Sequence, residues 1–325
     1  MKEKGYFLGI DVGSVSTNLV ITDEDDSVIE RLYLKTSGHP INVLCNGMRI
    51  ISEKFGKDII VKAVGTTGSG RQLASVIVGA DVVKNEITAH AVAAQSLVPG
   101  VNTILEIGGQ DSKIIILKNG VVTDFAMNTV CAAGTGSFLD RQASRLEIPI
   151  EEFGGYALRS SSSVRIAGRC AVFAESDMIH KQQTGHNVED IINGLCEALV
   201  RNYLNNLAKG KDIEEPVVFQ GGVAANIGIV AAFERALDKK IIIPKHHAVM
   251  GAYGAALLAK EKISRNNTIT NFYGFEAAKS NYKAKSWECH GCPNLCEVIE
   301  ILSDSQTLAR WGDRCGKWSQ LTTAV

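Results

Sequence analysis

The sequence predicts a duplicated α/β fold with two similar lobes. Residues 5–65 read as three strands, a helix and a strand, which differs from the βαβ order of a dinucleotide-binding fold. From residue 101 the same opening recurs: a strand, a glycine-containing polar turn and a hairpin. A third glycine turn follows a later strand at Gly221. Glycine suits all three turns, because its backbone adopts tight conformations without steric cost.

The elements of the first half are predicted from its alternating apolar and polar segments. An apolar strand at 6–10 meets a polar turn at 11–17, and a second strand follows at 18–21. A third short strand is expected at 28–35, after a polar turn. A helical pattern then covers about 41–54, and a strand covers about 59–65.

The second half repeats this order. A strand at 101–106 ends in Ile107-Gly108-Gly109-Gln110-Asp111-Ser112, and a second strand runs over 113–117. Asn119-Gly120 is a strong hairpin signal, and a third strand follows at 121–127. A helix is expected from about 134 to 146.

The last elements complete the domain plan. A strand at 216–220 leads into the third turn, a helix to about 238 and a strand at 240–243. The helix 249–260 is rich in small residues, which suits close packing against the first lobe. The expected division, in residue numbers, is lobe I at 1–99 plus 249–264, lobe II at 100–248, and a cysteine-rich C-terminal extension at 265–325.

Composition narrows the function classes. Of 325 residues, 45% are hydrophobic and 21% charged, and the net charge of −1 points to neither nucleic acid nor an anionic membrane. The chain has no signal-peptide pattern and no apolar run of roughly 18 residues, so we expect a cytoplasmic protein. Eight cysteines in that compartment favour metal or redox chemistry over disulfides.

The glycine turns suit a phosphate clamp, because glycine lets the backbone approach phosphate and present its N–H groups to an anion. A single turn of this kind often only connects two strands, whereas three in this order favour a nucleotide site. Asp11 and Asp111 end equivalent strands and are candidates to hold Mg²⁺ through water, while Gln110 is a candidate to orient an attacking water. The candidate nucleotide-binding residues are Gly13, Ser14, Ser16, Thr17, Gly108, Gly109, Gly221, Gly222, Val223 and Asn226.

These motifs resemble those of a known fold. The segments 9–14, 106–111 and 221–224 are similar to the two phosphate motifs and the adenosine motif of the actin/heat-shock-chaperone/sugar-kinase fold, which is ribonuclease H-like. The resemblance implies that ATP or ADP binds with Mg²⁺ between two lobes that hinge on each other. Asp11, Gln110 and Asp111 are the candidate catalytic residues.

Two cysteines lie where helices are expected to begin. Cys131 follows a strand and precedes small residues that include Gly134, Thr135 and Gly136. Cys170 opens a helical stretch after an apolar strand. A helix N-terminus lowers the pKa of a thiol, yet buried structural cysteines would explain the spacing equally well. A cubane cluster needs four thiolates, which two chains of a homodimer would supply.

The cysteine segments carry a second resemblance. The segments 131–136 and 170–177 are similar to those of activator ATPases of 2-hydroxyacyl-CoA dehydratases and of benzoyl-CoA reductase, the BadF/BadG/BcrA/BcrD family, over about residues 5–260. The resemblance implies a homodimer with one [4Fe–4S] cluster held by Cys131 and Cys170 of both chains. Gly134, Thr135 and Gly136 are candidate cofactor-binding residues beside Cys131. It implies that ATP drives an electron from ferredoxin or flavodoxin to an iron–sulfur dehydratase or reductase, and some relatives serve double-cubane cluster proteins.

The remaining cysteines separate into two groups. Cys45 and Cys196 lie on apolar helical faces and are expected in the core. The extension carries Cys289, Cys292, Cys296 and Cys315, a spacing that suits zinc or a second cluster, with His290 as a substitute ligand. A cysteine-rich tail without metal is the alternative.

Two other functions fit the fold. A small-molecule kinase would use a carboxylate such as Asp111 as its base. A non-redox scaffold would use its ATP cycle to gate partner binding. Neither function has a use for Cys131 and Cys170.

Overall fold

The computed structural model describes residues 5–56, 59–128, 131–266 and 268–319. Its contacts divide the chain into two compact units, Met1–Glu86 with Gly251–Val325, and Ile87–Met250. We call them unit 1 and unit 2. Each is built around its own five-stranded sheet.

The sheet of unit 1 has the order β3-β2-β1-β4-β5. Its strands are β1 (Gly5–Val12), β2 (Ser16–Thr22), β3 (Val28–Lys35), β4 (Ile60–Thr67) and β5 (Val82–Val83). The first three strands are antiparallel, and β4 joins β1 in parallel. The glycine turn after Val12 therefore leaves the central strand of this sheet.

The sheet of unit 2 has the equivalent order β10-β9-β6-β7-β8. Its strands are β6 (Thr103–Ile107), β7 (Ser112–Lys118), β8 (Val121–Asn128), β9 (Val217–Gln220) and β10 (Ile241–Ile242). Again three strands are antiparallel, and β9 joins the central strand β6 in parallel. The predicted duplication is confirmed.

Helices cover these sheets. They are α1 (Pro40–Phe55), α2 (Arg71–Val78), α3 (Glu86–Leu97), α4 (Gly136–Arg145), α5 (Ile150–Leu158), α6 (Ala171–Gln183), α7 (Val188–Tyr203), α8 (Ile227–Leu237) and α9 (Met250–Asn266). In α1, Pro40 occupies the first turn, where its missing N–H has no cost, and Leu44, Met48 and Ile51 form the buried stripe. A π-helical turn, Leu204–Ala208, continues α7.

The small residues of α9 allow it to lie directly on the sheet of unit 1. A Cβ built on Gly9 would stand 1.8 Å from the carbonyl oxygen of Ala252, and one on Gly65 would stand 2.1 Å from that of Ala255. Any side chain at either glycine would push the helix away. The expected close packing of this helix is confirmed.

The core of unit 2 is organised around α7. Leu195, Leu199 and Tyr203 are buried on this helix. The Tyr203 ring lies edge-on to Phe233 at 5.2 Å, and Phe219 contacts the same ring at 5.1 Å. Such packing fixes the rotation of α7, and with it the direction of its polar residues.

The expected apolar strand before Cys170 is wrong. Residues 163–169 pair with no strand in the described part of the chain. Side chains bond their backbone groups in place of a sheet, because Asp177 accepts from the Ala167 N–H at 2.8 Å, Arg201 donates to the Ile166 carbonyl at 2.6 Å and Asn202 donates to the Gly168 carbonyl at 2.6 Å.

The extension forms a three-stranded antiparallel sheet of β11 (Tyr282–Glu288), β12 (Glu297–Ser303) and β13 (Gln306–Trp311). The segment leading to it is bonded to unit 1 by Asp81, which accepts from the Thr270 hydroxyl at 2.7 Å and the Asn271 N–H at 2.8 Å. Over the described ranges, no helix is long and apolar enough to cross a membrane.

Candidate functional site

Asp11, at the end of β1, has space made for it by two glycines. A Cβ on Gly68 would stand 2.4 Å from one carboxylate oxygen, and a Cβ on Gly251 would stand 2.1 Å from the other. Gly251 lies in the first turn of α9, so the partial positive charge of that helix end is close to the Asp11 carboxylate. The side chain is half-buried, as suits a carboxylate that binds a cation through water.

The Gly13 turn is supported from within unit 1. The Gly13 N–H donates to the Ser16 carbonyl at 2.9 Å, and the Thr36 hydroxyl donates to the Gly13 carbonyl at 2.9 Å. Since Thr36 uses its proton there, the buried Thr17 hydroxyl donates to Thr36 at 3.0 Å. Thr17 therefore stabilises the turn through Thr36, while the exposed Ser14 faces solvent.

A buried charge network lies under the second turn. The Lys113 ammonium is 3.1 Å from the Glu106 carboxylate and 2.9 Å from the Asp111 carboxylate. The side chains of Lys113 and Glu106 are 3% and 6% exposed, whereas that of Asp111 is 33% exposed. Lys113 thus anchors the one member of the network that reaches solvent.

The neighbours of this network are neutral. Burial and the nearby Lys113 charge lower the pKa of His90 to about 3. The neutral ring accepts at Nδ1 from the Gln220 amide at 2.8 Å, which places the His90 proton on Nε2. The Tyr203 hydroxyl donates to the Lys113 carbonyl at 2.5 Å, and burial raises the pKa of this phenol well above its usual value.

The third turn requires glycine at Gly221. Its φ is +90°, and a Cβ there would stand 2.3 Å from the Ile107 carbonyl oxygen. Asn226 caps α8, because its side-chain oxygen accepts from the N–H groups of Gly228 and Ile229 at 3.0 and 3.2 Å. Gly222 next to the turn is exposed, and Val223 is buried.

The second turn is bonded to the start of α4. The Gly136 N–H donates to the Gly108 carbonyl at 2.8 Å, and the Ser137 N–H donates to the Gly109 carbonyl at 2.9 Å. Two N–H groups that a helix start leaves without intrahelical partners are satisfied in this way. These bonds connect the second turn to the segment that begins at Cys131.

Cys131 is held by two asparagines. Asn128 accepts from its N–H and donates to its carbonyl, both at 2.9 Å. The Cys131 sulfur lies 3.8 Å from the Asn202 amide nitrogen and 3.9 Å from the Arg169 carbonyl oxygen. The sulfur therefore sits against the residue that precedes Cys170.

Cys170 occupies the N-cap of α6 and is half-buried. Its carbonyl accepts from the Ala174 N–H at 3.0 Å. Two large apolar side chains follow it, Val172 at 69% and Phe173 at 66% exposed. Exposed apolar groups beside a cysteine favour contact with another protein.

Asn202 joins the two cysteine segments. Its amide nitrogen bonds the Gly168 carbonyl at 2.6 Å as well as approaching Cys131. Its oxygen accepts from Asn206 at 3.1 Å and would lie 2.7 Å from a Cβ on Gly134. Gly134 therefore makes room for Asn202, while the Thr135 hydroxyl donates to the Ala132 carbonyl at 2.8 Å.

In the described part of the chain, no group of three or more His, Cys, Asp or Glu side chains is placed to hold a metal ion. In the extension, the Trp318 indole donates to the Cys289 sulfur at 3.3 Å, and this bond lowers the pKa of the thiol. The metal site there stays a prediction.

The two remaining cysteines differ in burial. Cys196 is fully buried on α7, and burial raises the pKa of its thiol to about 12. Cys45 is half-buried on α1, where burial also raises the thiol pKa. Cys196 is confirmed as a core residue, and Cys45 lies at the edge of the core of unit 1.

Known proteins match most of the chain. It is 35% identical to the 2-hydroxyisocaproyl-CoA dehydratase activator of Clostridioides difficile, over 78% of this chain and 94% of that protein. It is 34% identical to the (R)-2-hydroxyglutaryl-CoA dehydratase activating ATPase of Acidaminococcus fermentans, over 80% and 99%. The solved structure of the activator from Clostridium difficile with bound ADPNP superposes with a TM-score of 0.73 at 33% identity, covering 81% of this chain and 97% of that one. The BadF/BadG/BcrA/BcrD ATPase family model matches residues 8–259, and the chain belongs to this family.

Proposed function

We propose that the chain is the ATP-hydrolysing component of an electron-transfer system, which passes single electrons at low potential to an iron–sulfur dehydratase or reductase. The observation that carries the proposal is the pair of hydrogen bonds from Gly136 and Ser137 to the second glycine turn. These bonds join a nucleotide motif to a cysteine segment within one unit. A kinase or an ATP-gated scaffold would have no need of that connection.

The glycine turns would hold the nucleotide. Exposed Ser14 and the backbone around Gly13, Gly108 and Gly109 would bind phosphate oxygens, and the turn at Gly221 and Gly222 would bind the adenosine. Asp11 and Asp111 each fit Mg²⁺, because both carboxylates are partly exposed and Lys113 holds that of Asp111 in place. Gln110 would orient the attacking water.

The thiolates of Cys131 and Cys170, from two copies of the chain, would ligate one [4Fe–4S] cluster, which supplies one-electron redox chemistry when bound. The residues fit this group: both cysteines start helical turns, and the Cys131 sulfur accepts from an amide. Exposed Val172 next to Cys170 suits a two-fold contact between chains.

ATP can drive an electron only if its binding or hydrolysis differs between two conformations of the protein. Gly108 and Gly109 bond the start of α4, while Tyr203 bonds the strand of Lys113 and its neighbour Asn202 bonds both cysteine segments. A change in the turn would therefore reach the thiolates by two routes. Ferredoxin or flavodoxin would be the electron donor.

Anaerobic iron analysis and visible spectroscopy test the proposal. The wild type should be brown and hold about two irons per chain, from one four-iron cluster per dimer. Cys131→Ser and Cys170→Ser should each lose that iron, while Cys45→Ser, a matched variant outside the pair, should keep it. A metal site in the extension would add metal that Cys289→Ser alone removes.

A colourless wild type without iron after careful reconstitution would exclude the redox function and leave the kinase or scaffold. Assays of ATP hydrolysis by the iron-free protein, with and without candidate phosphate acceptors, would then distinguish a kinase from a scaffold. Retention of full iron by both Cys131→Ser and Cys170→Ser would place the cluster elsewhere.

A further inference from the structure

Unit 2 carries a basic cavity beside the two cysteine segments. Its volume is about 1090 Å³, and its walls are residues 165–169 together with parts of α6, α7 and the π-helical turn. Four cationic side chains line it: Arg165, Arg169, Lys181 and Arg201. Phe173, 66% exposed, forms an apolar part of the wall.

The positive charge of this cavity is largely uncompensated. Asp177 is the carboxylate of its wall, and its Oδ2 accepts from the Ala167 N–H at 2.8 Å. Among the described residues, Arg165, Arg169 and Lys181 form no ion pair. Several unpaired cations around one concavity create a positive potential that attracts and orients an acidic partner.

The cavity also adjoins the proposed redox centre. Gly168 and Arg169 in its wall immediately precede Cys170, and Asn202 in its wall lies 3.8 Å from the Cys131 sulfur. A protein seated here would bring its own redox group close to the cysteines. Arginine and exposed aromatic side chains together are typical of protein–protein contacts.

We propose that this cavity is the docking site for the carboxylate-rich surface of a reduced, low-potential electron-carrier protein. The proposal rests on the electron-transfer function proposed above. The step moves one electron: the carrier is oxidised by one electron, the iron–sulfur centre is reduced by one, and no bond or proton is exchanged. A second copy of the chain is not the proposed occupant: the two-fold contact proposed above is at Cys170, and a second copy that also covered Arg165 and Lys181 would bring like charges together.

The test compares two charge-reversal variants of the intact, cluster-loaded protein. Arg165→Glu/Lys181→Glu alters the cavity, and Lys118→Glu/Lys240→Glu makes the same net change at solvent-facing positions elsewhere on unit 2. The rate of cluster reduction by photoreduced bacterial ferredoxin is measured by stopped flow over a range of salt concentrations. Iron content, ATP hydrolysis, dimer mass and reduction by photoreduced deazaflavin, a small electron donor, are measured alongside.

We expect the cavity variant to be reduced by ferredoxin at least about tenfold more slowly at low salt, and the control variant to change less than about twofold. The difference in rate between the two variants should be smaller at about 0.5 M salt, because screening weakens the attraction between ferredoxin and the cavity. Reduction by deazaflavin, iron content and ATP hydrolysis should match the wild type in both variants.

Equal ferredoxin rates for the cavity and control variants would overturn the docking site. So would a slow cavity variant that has also lost iron or its dimer mass, because the residues would then be structural or would face a second copy. Inhibition of ferredoxin reduction by millimolar inorganic phosphate, at constant ionic strength, would indicate a small-anion site and overturn it too. A wild type that holds no iron would refute the proposed function instead.

Discussion

The side-chain amide of Asn202 lies 3.8 Å from the sulfur of Cys131 and donates to the carbonyl of Gly168 at 2.6 Å. One buried side chain therefore connects both cysteine segments. Its neighbour Tyr203 donates to the carbonyl of Lys113, so adjacent residues of α7 bond the cysteine segments and the strand that carries Lys113. The account of ATP-driven electron transfer depends on this arrangement.

Replacing Asn202 should weaken the cysteine site. Asn202→Leu leaves the Gly168 carbonyl without its donor, which should lower the free energy of unfolding by about 1–3 kcal/mol. Hydrogen bonds to a cluster sulfur raise its reduction potential, so the variant should have a lower midpoint potential in an anaerobic redox titration. Asn205→Leu changes an exposed asparagine nearby and should leave both quantities unchanged. An unaltered potential in a folded Asn202→Leu protein would contradict the positioning role.

Replacing Lys113 should impair ATP hydrolysis. Lys113→Met removes the cation that pairs with the buried Glu106 carboxylate and with Asp111, so we expect a loss of about 3–5 kcal/mol in unfolding free energy. In the protein that remains folded, the rate of ATP hydrolysis should fall by about tenfold or more, because Asp111 is no longer held in position. Lys118→Met, at the exposed end of the same strand, is the control. Wild-type hydrolysis by Lys113→Met would show that Asp111 needs no anchor.

Replacing Gly221 should disrupt the third turn. In Gly221→Ala the new methyl group meets the Ile107 carbonyl at 2.3 Å, in addition to the strain of φ +90°. Gly210→Ala has a similar φ, +75°, but nothing lies within 4 Å, so it should cost only about 1–2 kcal/mol. Urea unfolding should therefore separate the two variants, and nucleotide affinity should fall only in Gly221→Ala. Equal unfolding costs for the two would argue against the close contact.

His90 should make unit 2 less stable in acid. Its pKa is about 3 in the fold against 6.5 for the free side chain, so the unfolded chain binds the extra proton first as pH falls. Stability from this group is complete above pH 6.5 and decreases by about 1.4 kcal/mol per pH unit below it, until the folded pKa is reached. His90→Gln removes that slope. Urea unfolding of both proteins at about pH 7 and pH 5.5 measures the difference. Parallel curves for the two proteins would mean that His90 is not buried in its neutral form.

The sequence predicted the turns better than the side chains that hold them. Glycine turns and strand order follow from local rules, and the sheets confirm them. The Glu106–Lys113 pair was missed although a signal existed, because the hairpin register places these two residues opposite each other. Asn202 gave no signal, since its role depends on segments far away in sequence. The segment before Cys170 has the composition of a strand, but side chains rather than a neighbouring strand bond its backbone.

The central claim, that nucleotide state reaches the thiolates, is tested most directly by the rate at which a ferrous chelator removes iron from the anaerobic protein. The account predicts that this rate differs several-fold between ADP and a non-hydrolysable ATP analogue. In Tyr203→Phe, which loses the bond to Lys113, the difference should be smaller. Tyr156→Phe, a tyrosine on α5 of the same unit, should behave as the wild type. Identical rates with both nucleotides in the wild type would contradict the coupling.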